Sequence, residues 1–194
     1  MPTKLIDRIT EEENFYQAFK QTRKGQNKYK LDAMVFNQDK VYNLTKLRNS
    51  VKNGTYEFGG YNRFTVYEPK ERVIDAPKYK DKIVQIAIHN VIKHVYFPSF
   101  IHDSYSCIDG KGTHMCAKRI QYFMRKAKWQ YGEDACIIKI DIKKFFYSIN
   151  RDILKKIIIK KITCKQTLEL LYKIIDSADD ITELGLPLFT FYCS

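Results

Sequence analysis

The residues best suited to chemistry lie close together, in Ile137-Ile138-Lys139-Ile140-Asp141-Ile142 and the Lys143-Lys144-Phe145-Phe146 that follows. An apolar, β-branched run ending in a lone acid predicts a buried strand over 135–141 with a carboxylate at its C-terminal end. Mg²⁺ takes hard oxygen ligands, and two-metal phosphoryl transfer needs carboxylates fixed in place and turned to solvent. A strand end gives such placement, and the Ile142 carbonyl oxygen could add a ligand. The plain alternative is a capping or surface aspartate.

A second chemical signal is charge. From Lys111 to Gln130 the chain holds six basic residues (Lys111, Lys118, Arg119, Arg125, Lys126, Lys128) and no acid. An isolated basic helix face is usually just solvated. A stretch this long with no compensating acid suits tracking a phosphate backbone. Gly110-Lys111-Gly112 ahead of a helix could also hold a phosphate on backbone N–H groups, although the spacing is not that of a Walker loop. A further cluster, Arg151 to Lys165, reads as solubility. His89 and His94 are five apart on one helix, a poor spacing for two metal ligands, and read as structural or surface residues.

The elements that position these residues follow from periodicity. Thr10 and Glu13 form a capping-box pattern, predicting a helix that runs to about Lys24 and stops at Gly25. A second helix is expected over 28–52, with Leu31, Met34, Val35, Leu44, Leu47 and Val51 at helical spacing. Asn62–Tyr67 and Glu71–Ala76 alternate and flank Glu68-Pro69-Lys70, which predicts a β-hairpin ended by Pro77. Helices are then expected over 81–97, 113–130, 151–160 and 163–175. The fold class is α+β.

Composition bounds the rest. The chain has 194 residues, a net charge of +12 and 44% hydrophobic residues, enough to build a core. That surplus makes a polyanion the default partner. The five cysteines are odd in number and show no C-x-x-C pair, which argues against a disulfide framework or zinc site and for a reducing, cytoplasmic setting. No run approaches the ~18 apolar residues a membrane span needs.

Four segments, in order, resemble the motifs of reverse transcriptases. Arg72-Val-Ile-Asp-Ala-Pro77 with Asp81-Lys-Ile-Val-Gln85 is similar to the fingers motif R-x-I-x-x-P…D-R-I-V-Q. His102 to His114 resembles the D-S-Y-x-x-R-x-G-K-G-T-H block, and Asp141-Ile-x-x-Phe-Phe146-x-x-Ile the first catalytic motif. Leu184-Gly185-Leu186-Pro187-Leu188 resembles the start of the palm motif G-L-P-x-G-N of bacterial members, the diversity-generating, retron and group II intron-like enzymes. Phe189-Thr190 departs from that pattern.

The resemblance implies right-hand polymerase architecture, with fingers over 1–130 and a partial palm over 131–194 that stops before the second catalytic motif. It implies an RNA-directed DNA polymerase using Mg²⁺, an RNA template, a DNA primer and dNTPs. It places Asp141 and the Ile142 carbonyl on the metals, Arg72 and Lys70 on the triphosphate, and Phe146 against the 2′-hydroxyl of the incoming sugar. It sets Lys111, Lys118, Arg119, Arg125, Gly185 and Pro187 along the nucleic acid. Asp179-Asp180 precedes the G-L-P segment and reads as a turn, not as the missing Tyr/Phe-x-Asp-Asp. With one carboxylate strand, these 194 residues are expected to be inactive alone. The unfinished palm sheet is expected to invite self-association. The alternative is a non-catalytic nucleic-acid-binding remnant of a retroelement.

Overall fold

The structure is a computed structural model, and it describes residues 4–24, 30–67, 71–178 and 185–186. It is mostly helical with one two-stranded antiparallel sheet, an α+β chain. It divides into two compact units, one built from Met1–Val95 and Lys144–Tyr192, the other centred on Tyr96–Lys143.

In the first unit, α1 (Leu5–Ile9) and α2 (Glu12–Thr22) bury Ile6, Ile9, Phe15, Ala18 and Phe19. Thr10 does not cap α2 as its spacing with Glu13 suggests. Its hydroxyl donates to Ile6 O at 2.9 Å, closing α1, and Glu11 becomes the N-cap of α2. The helix expected over 28–52 is two, α3 (Leu31–Gln38) and α4 (Lys40–Lys52). The break falls at Asp39, whose carboxylate accepts from Tyr42 N and caps α4. Leu47 and Val51 are buried, whereas Leu31, Met34 and Val35 are exposed.

The hairpin forms as the alternation predicts, β1 (Tyr61–Tyr67) against β2 (Glu71–Pro77), in a register pairing Val66 with Arg72 and Phe64 with Ile74. Its turn, with Lys70, lies outside the described residues. Arg63 forks onto Asp75 across the strands at 2.7 and 3.3 Å. The longest helix of this unit, α5 (Tyr79–Tyr96), buries Ile83, Val84, Ala87, Ile88 and Val91. The Asn14 side chain donates to Ile9 O and Ala87 O, both at 2.9 Å, tying the α1–α2 junction to α5. After one turn of 3₁₀ helix at Phe145–Ser148 come α7 (Arg151–Ile159) and α8 (Lys165–Asp176), which packs Leu170, Leu171, Ile174 and Ile175 into the core and touches α1.

In the second unit, the main element is α6 (Thr113–Tyr131), none of whose residues is buried. The segment expected as a buried strand, 135–141, is neither buried nor a strand: no turn, bend or bridge runs from Ala135 to Ile142. Ile137, Ile138 and Ile140 are 75%, 78% and 84% exposed. A strand exists only by pairing its backbone groups, and no strand among the described residues pairs with this run. Cys116, Cys136 and Cys164 are free thiols, while Cys107 is disulfide-bonded, which the odd number and spacing of the cysteines did not signal.

Candidate active site

The first unit brings together two motif segments remote in sequence. Leu186 N donates to Phe146 O at 2.8 Å. Gly185 sits at φ +91, a region side chains rarely adopt, and a Cβ there would lie 2.4 Å from both Phe146 O and Tyr147 Cα. Glycine is therefore required twice over, by its torsion and by the close approach of the backbones. Arg151, at the start of α7, holds the same corner from outside. Its Nε donates to Gly185 O at 2.7 Å and its Nη2 to Ala178 O at 3.2 Å. The spacing of Arg151 put it in a lysine-rich surface cluster, and nothing local signalled this clamp.

Phe146 is exposed, with its ring edge-on to Phe145 at a 5.3 Å centroid distance. Tyr147 OH reaches Val73 O at 3.5 Å, setting this turn beside the strand that carries Arg72. The Arg72 side chain, Lys70 and Pro187 lie outside the described residues, as do Asp179 and Asp180.

Below the hairpin, Asp81 opens the D-K-I-V-Q segment and is fully buried. Its Oδ1 accepts from Tyr56 OH at 2.7 Å and its Oδ2 from Gly59 N at 3.0 Å. Burial pushes its carboxyl above the usual carboxylate range, while these two hydrogen bonds pull it back. A Cβ on Gly59 would stand 2.8 Å from Asp81 Oδ2. The acid thus fixes the loop leading into β1, a role that its place at the head of a helix did not reveal.

In the second unit, Asp141 is exposed and has no hydrogen bond or ion pair among the described residues. Ile142 is 61% exposed. Among the described residues no group of three or more His, Cys, Asp or Glu could hold a metal ion. One carboxylate and one backbone carbonyl fall short of the octahedral oxygen shell Mg²⁺ demands, so this donor set does not complete a two-metal site.

The basic residues of this unit divide into committed and uncommitted. Arg119 forks onto Asp103 at 2.8 and 3.3 Å and lies over the Phe123 and Tyr122 rings at 4.5 and 5.2 Å. That hydrogen bonding holds the Asp103 carboxyl down at about 2. Lys111 donates to His102 O and sits 5.5 Å over the Tyr105 ring. Lys118 and Arg125 are exposed and have no ion pair among the described residues. No helix among the described residues is long and apolar enough to cross a membrane.

Residues 64–188 match the family described as reverse transcriptase (RNA-dependent DNA polymerase). The chain is also 26% identical over 143 residues to the group II intron-encoded protein LtrA of Lactococcus lactis subsp. cremoris, with the same identity to its counterpart from strain MG1363. That alignment covers 72% of this chain and 22% of each relative, so the chain spans about a fifth of the length of the proteins it matches.

Proposed function

The chain belongs to the reverse transcriptase (RNA-dependent DNA polymerase) family, and from that membership we propose that it supplies the fingers, residues 1–130, and the first part of the palm, residues 131–194, of an RNA-directed DNA polymerase. In that reaction the primer 3′-hydroxyl attacks the α-phosphate of a dNTP, a new phosphodiester bond forms, and the bond to the leaving pyrophosphate breaks. Arg72 and Lys70 grip the triphosphate, whose oxygens suit a guanidinium fork and an ammonium. Phe146 closes the pocket to a 2′-hydroxyl. Asp141 and the Ile142 carbonyl are the chain's contribution to Mg²⁺ binding, which in this family neutralises phosphate charge. Lys111, Lys118, Arg119 and Arg125 line the path of template and primer, with Gly185 and Pro187 at its palm side.

The observation that carries this reading is the hydrogen bond from Leu186 N to Phe146 O. It sets Gly185-Leu186 against the turn bearing Phe146, which supports a single corner formed from the two motif segments. Since the described donors leave the metal site incomplete, we propose that these 194 residues do not polymerise alone. They bind an RNA–DNA hybrid through phosphate contacts that weaken steeply with salt. The test is a primer-extension assay with dNTPs and Mg²⁺ beside a hybrid-binding titration. Synthesis by the 194 residues refutes the inactivity, and absence of hybrid binding at low salt refutes the nucleic-acid role. Asp141→Asn leaves hybrid binding intact. The non-catalytic remnant makes the same binding prediction, and differs in that joining the chain to a palm bearing the second carboxylate pair restores no synthesis.

A further inference from the structure

We propose that the face of α6 bearing Lys118, Tyr122, Arg125 and Trp129 is a stacking site for the unpaired bases of a single-stranded nucleic acid. This rests on the nucleic-acid-binding reading above, and adds to it the strandedness of the partner and two aromatic contacts.

The helix has two faces of different chemistry. Steps of four, three and four residues put Lys118, Tyr122, Arg125 and Trp129 within an arc of about 60°. Steps of four, three, four and four put Cys116, Ile120, Phe123, Ala127 and Tyr131 about half a turn away. The second set has the spacing and composition of a face that packs against another element. Trp129 lies opposite it, so packing on that face does not explain it, while Tyr122 stands edge-on to Phe123 at 5.6 Å and keeps its other side open. Trp129 is 88% exposed and Tyr122 52%. A bare indole between cations has a specific use, because every base offers a π-face to an aromatic ring and phosphates pair with the flanking charges.

Charge complementarity selects the partner. No acid occurs between Lys111 and Gln130. The one guanidinium of α6 shown neutralised, Arg119, is turned to Asp103, and its stack over Tyr122 at 5.2 Å holds that ring in place. Lys118 and Arg125 remain exposed on either side of Tyr122 along the helix. A duplex offers this face only phosphates, because its bases are already stacked on each other. A single strand offers phosphates and bases together.

Trp129 is the only tryptophan of the chain, so its fluorescence reports this face directly. The experiment titrates the full chain with an oligo-dT strand and with a duplex of equal length. It follows tryptophan quenching and, separately, the anisotropy of a labelled strand. The expected result is quenching by the single strand only, with Trp129→Ala weakening single-strand binding about tenfold and leaving duplex binding unchanged. Trp129→Phe retains most of the affinity. Lys118→Gln and Arg125→Gln weaken both partners and each lower the salt slope by about one. Single-strand binding that neither quenches Trp129 nor responds to Trp129→Ala overturns the stacking site while the nucleic-acid reading stands. Failure to bind either partner at low salt overturns both.

Discussion

Replacing Asp81 by alanine perturbs the loop ahead of β1 most directly. The side chain is inaccessible to solvent and accepts from Tyr56 OH and Gly59 N. Tyr56 is itself 2% exposed, so Asp81→Ala leaves its hydroxyl without partner or water, whereas Gly59 N is only part-buried and can turn to solvent. The buried unsatisfied hydroxyl costs about 1–3 kcal/mol, and the lost hydrogen bond to Gly59 N adds about 0.5–1.5 kcal/mol. Removing a buried carboxylate also removes its own desolvation penalty, which brings the expected net loss to about 2–3 kcal/mol. Urea unfolding followed by far-ultraviolet circular dichroism measures that loss. Amide hydrogen exchange at 56–60 and in α5 shows whether it is local. Tyr56→Phe with the double variant completes a cycle, whose coupling should be at least about 1 kcal/mol for groups in contact. The pH dependence gives a second handle. The folded Asp81 carboxyl is raised by burial, so the folded state binds its proton more tightly than the unfolded chain. Its contribution is fully present below the unfolded value of 3.8 and is lost as pH rises through the folded value. The stability difference between the parent and Asp81→Ala should therefore shrink with rising pH. A loss under about 0.5 kcal/mol, the range of an ordinary surface substitution, or a gap that widens with pH would refute the reasoning.

Three further outcomes follow from the same structure. Gly185→Ala meets both an unfavourable torsion and the backbone of Phe146 and Tyr147, so it should destabilise the first unit by at least about 2 kcal/mol; equal melting temperatures for variant and parent would contradict the corner. In the second unit, hydrogen bonding from Arg119 holds Asp103 at about 2, against an ordinary 3.8, so the stability it contributes is present above 3.8 and is lost as pH falls toward 2; a two-dimensional NMR titration should show Arg119 Nε–H shifting in that window and not near neutrality. The exposed run of Ile137, Ile138, Ile140 and Ile142 should self-associate, because antiparallel pairing of two copies about Ile140 sets Lys139 of each against Asp141 of the other; light scattering should show dimers that Lys139→Asp abolishes and the added Asp141→Lys restores, and a monodisperse monomer at all concentrations would dismiss the pairing.

What the residues foretold is what local rules decide. The hairpin was legible because alternation, a Pro-containing turn and a terminating Pro77 all act within a few residues of each other. Helices α5, α6, α7 and α8 were legible to within two residues, because caps and apolar spacing are likewise local. The misreadings all concern competition for a partner. Thr10 had two helix ends within reach, and its hydroxyl closes α1. Asp39 sits inside an uninterrupted helical pattern, yet its carboxylate competes for the Tyr42 amide and starts a new helix. Arg119 stands in a run without acids, and its pairing with Asp103, sixteen residues earlier, is one that local spacing does not reveal. Arg151 shows the converse, an apparent surface charge whose partners are two backbone carbonyls that no spacing rule predicts.

The same distinction bears on Asp141. Motif order identifies it, and the chemistry asked of it needs a carboxylate held to within a fraction of an ångström. Yet the segment delivering it has no backbone hydrogen bond among the described residues from Ala135 to Ile142, and its isoleucines face solvent. β-propensity is a preference for a pleated, half-buried surface, and a run of isoleucines cannot supply that surface to itself. The turn bearing Phe146 is different. Phe146, Gly185 and Leu186 are fixed by contacts internal to their unit, which α7 and Arg151 reinforce. Rigidity in this chain therefore belongs to the corner of Phe146, Gly185 and Leu186, whereas Asp141, in the metal-binding role proposed for it, must receive its rigidity from a strand that pairs beside it.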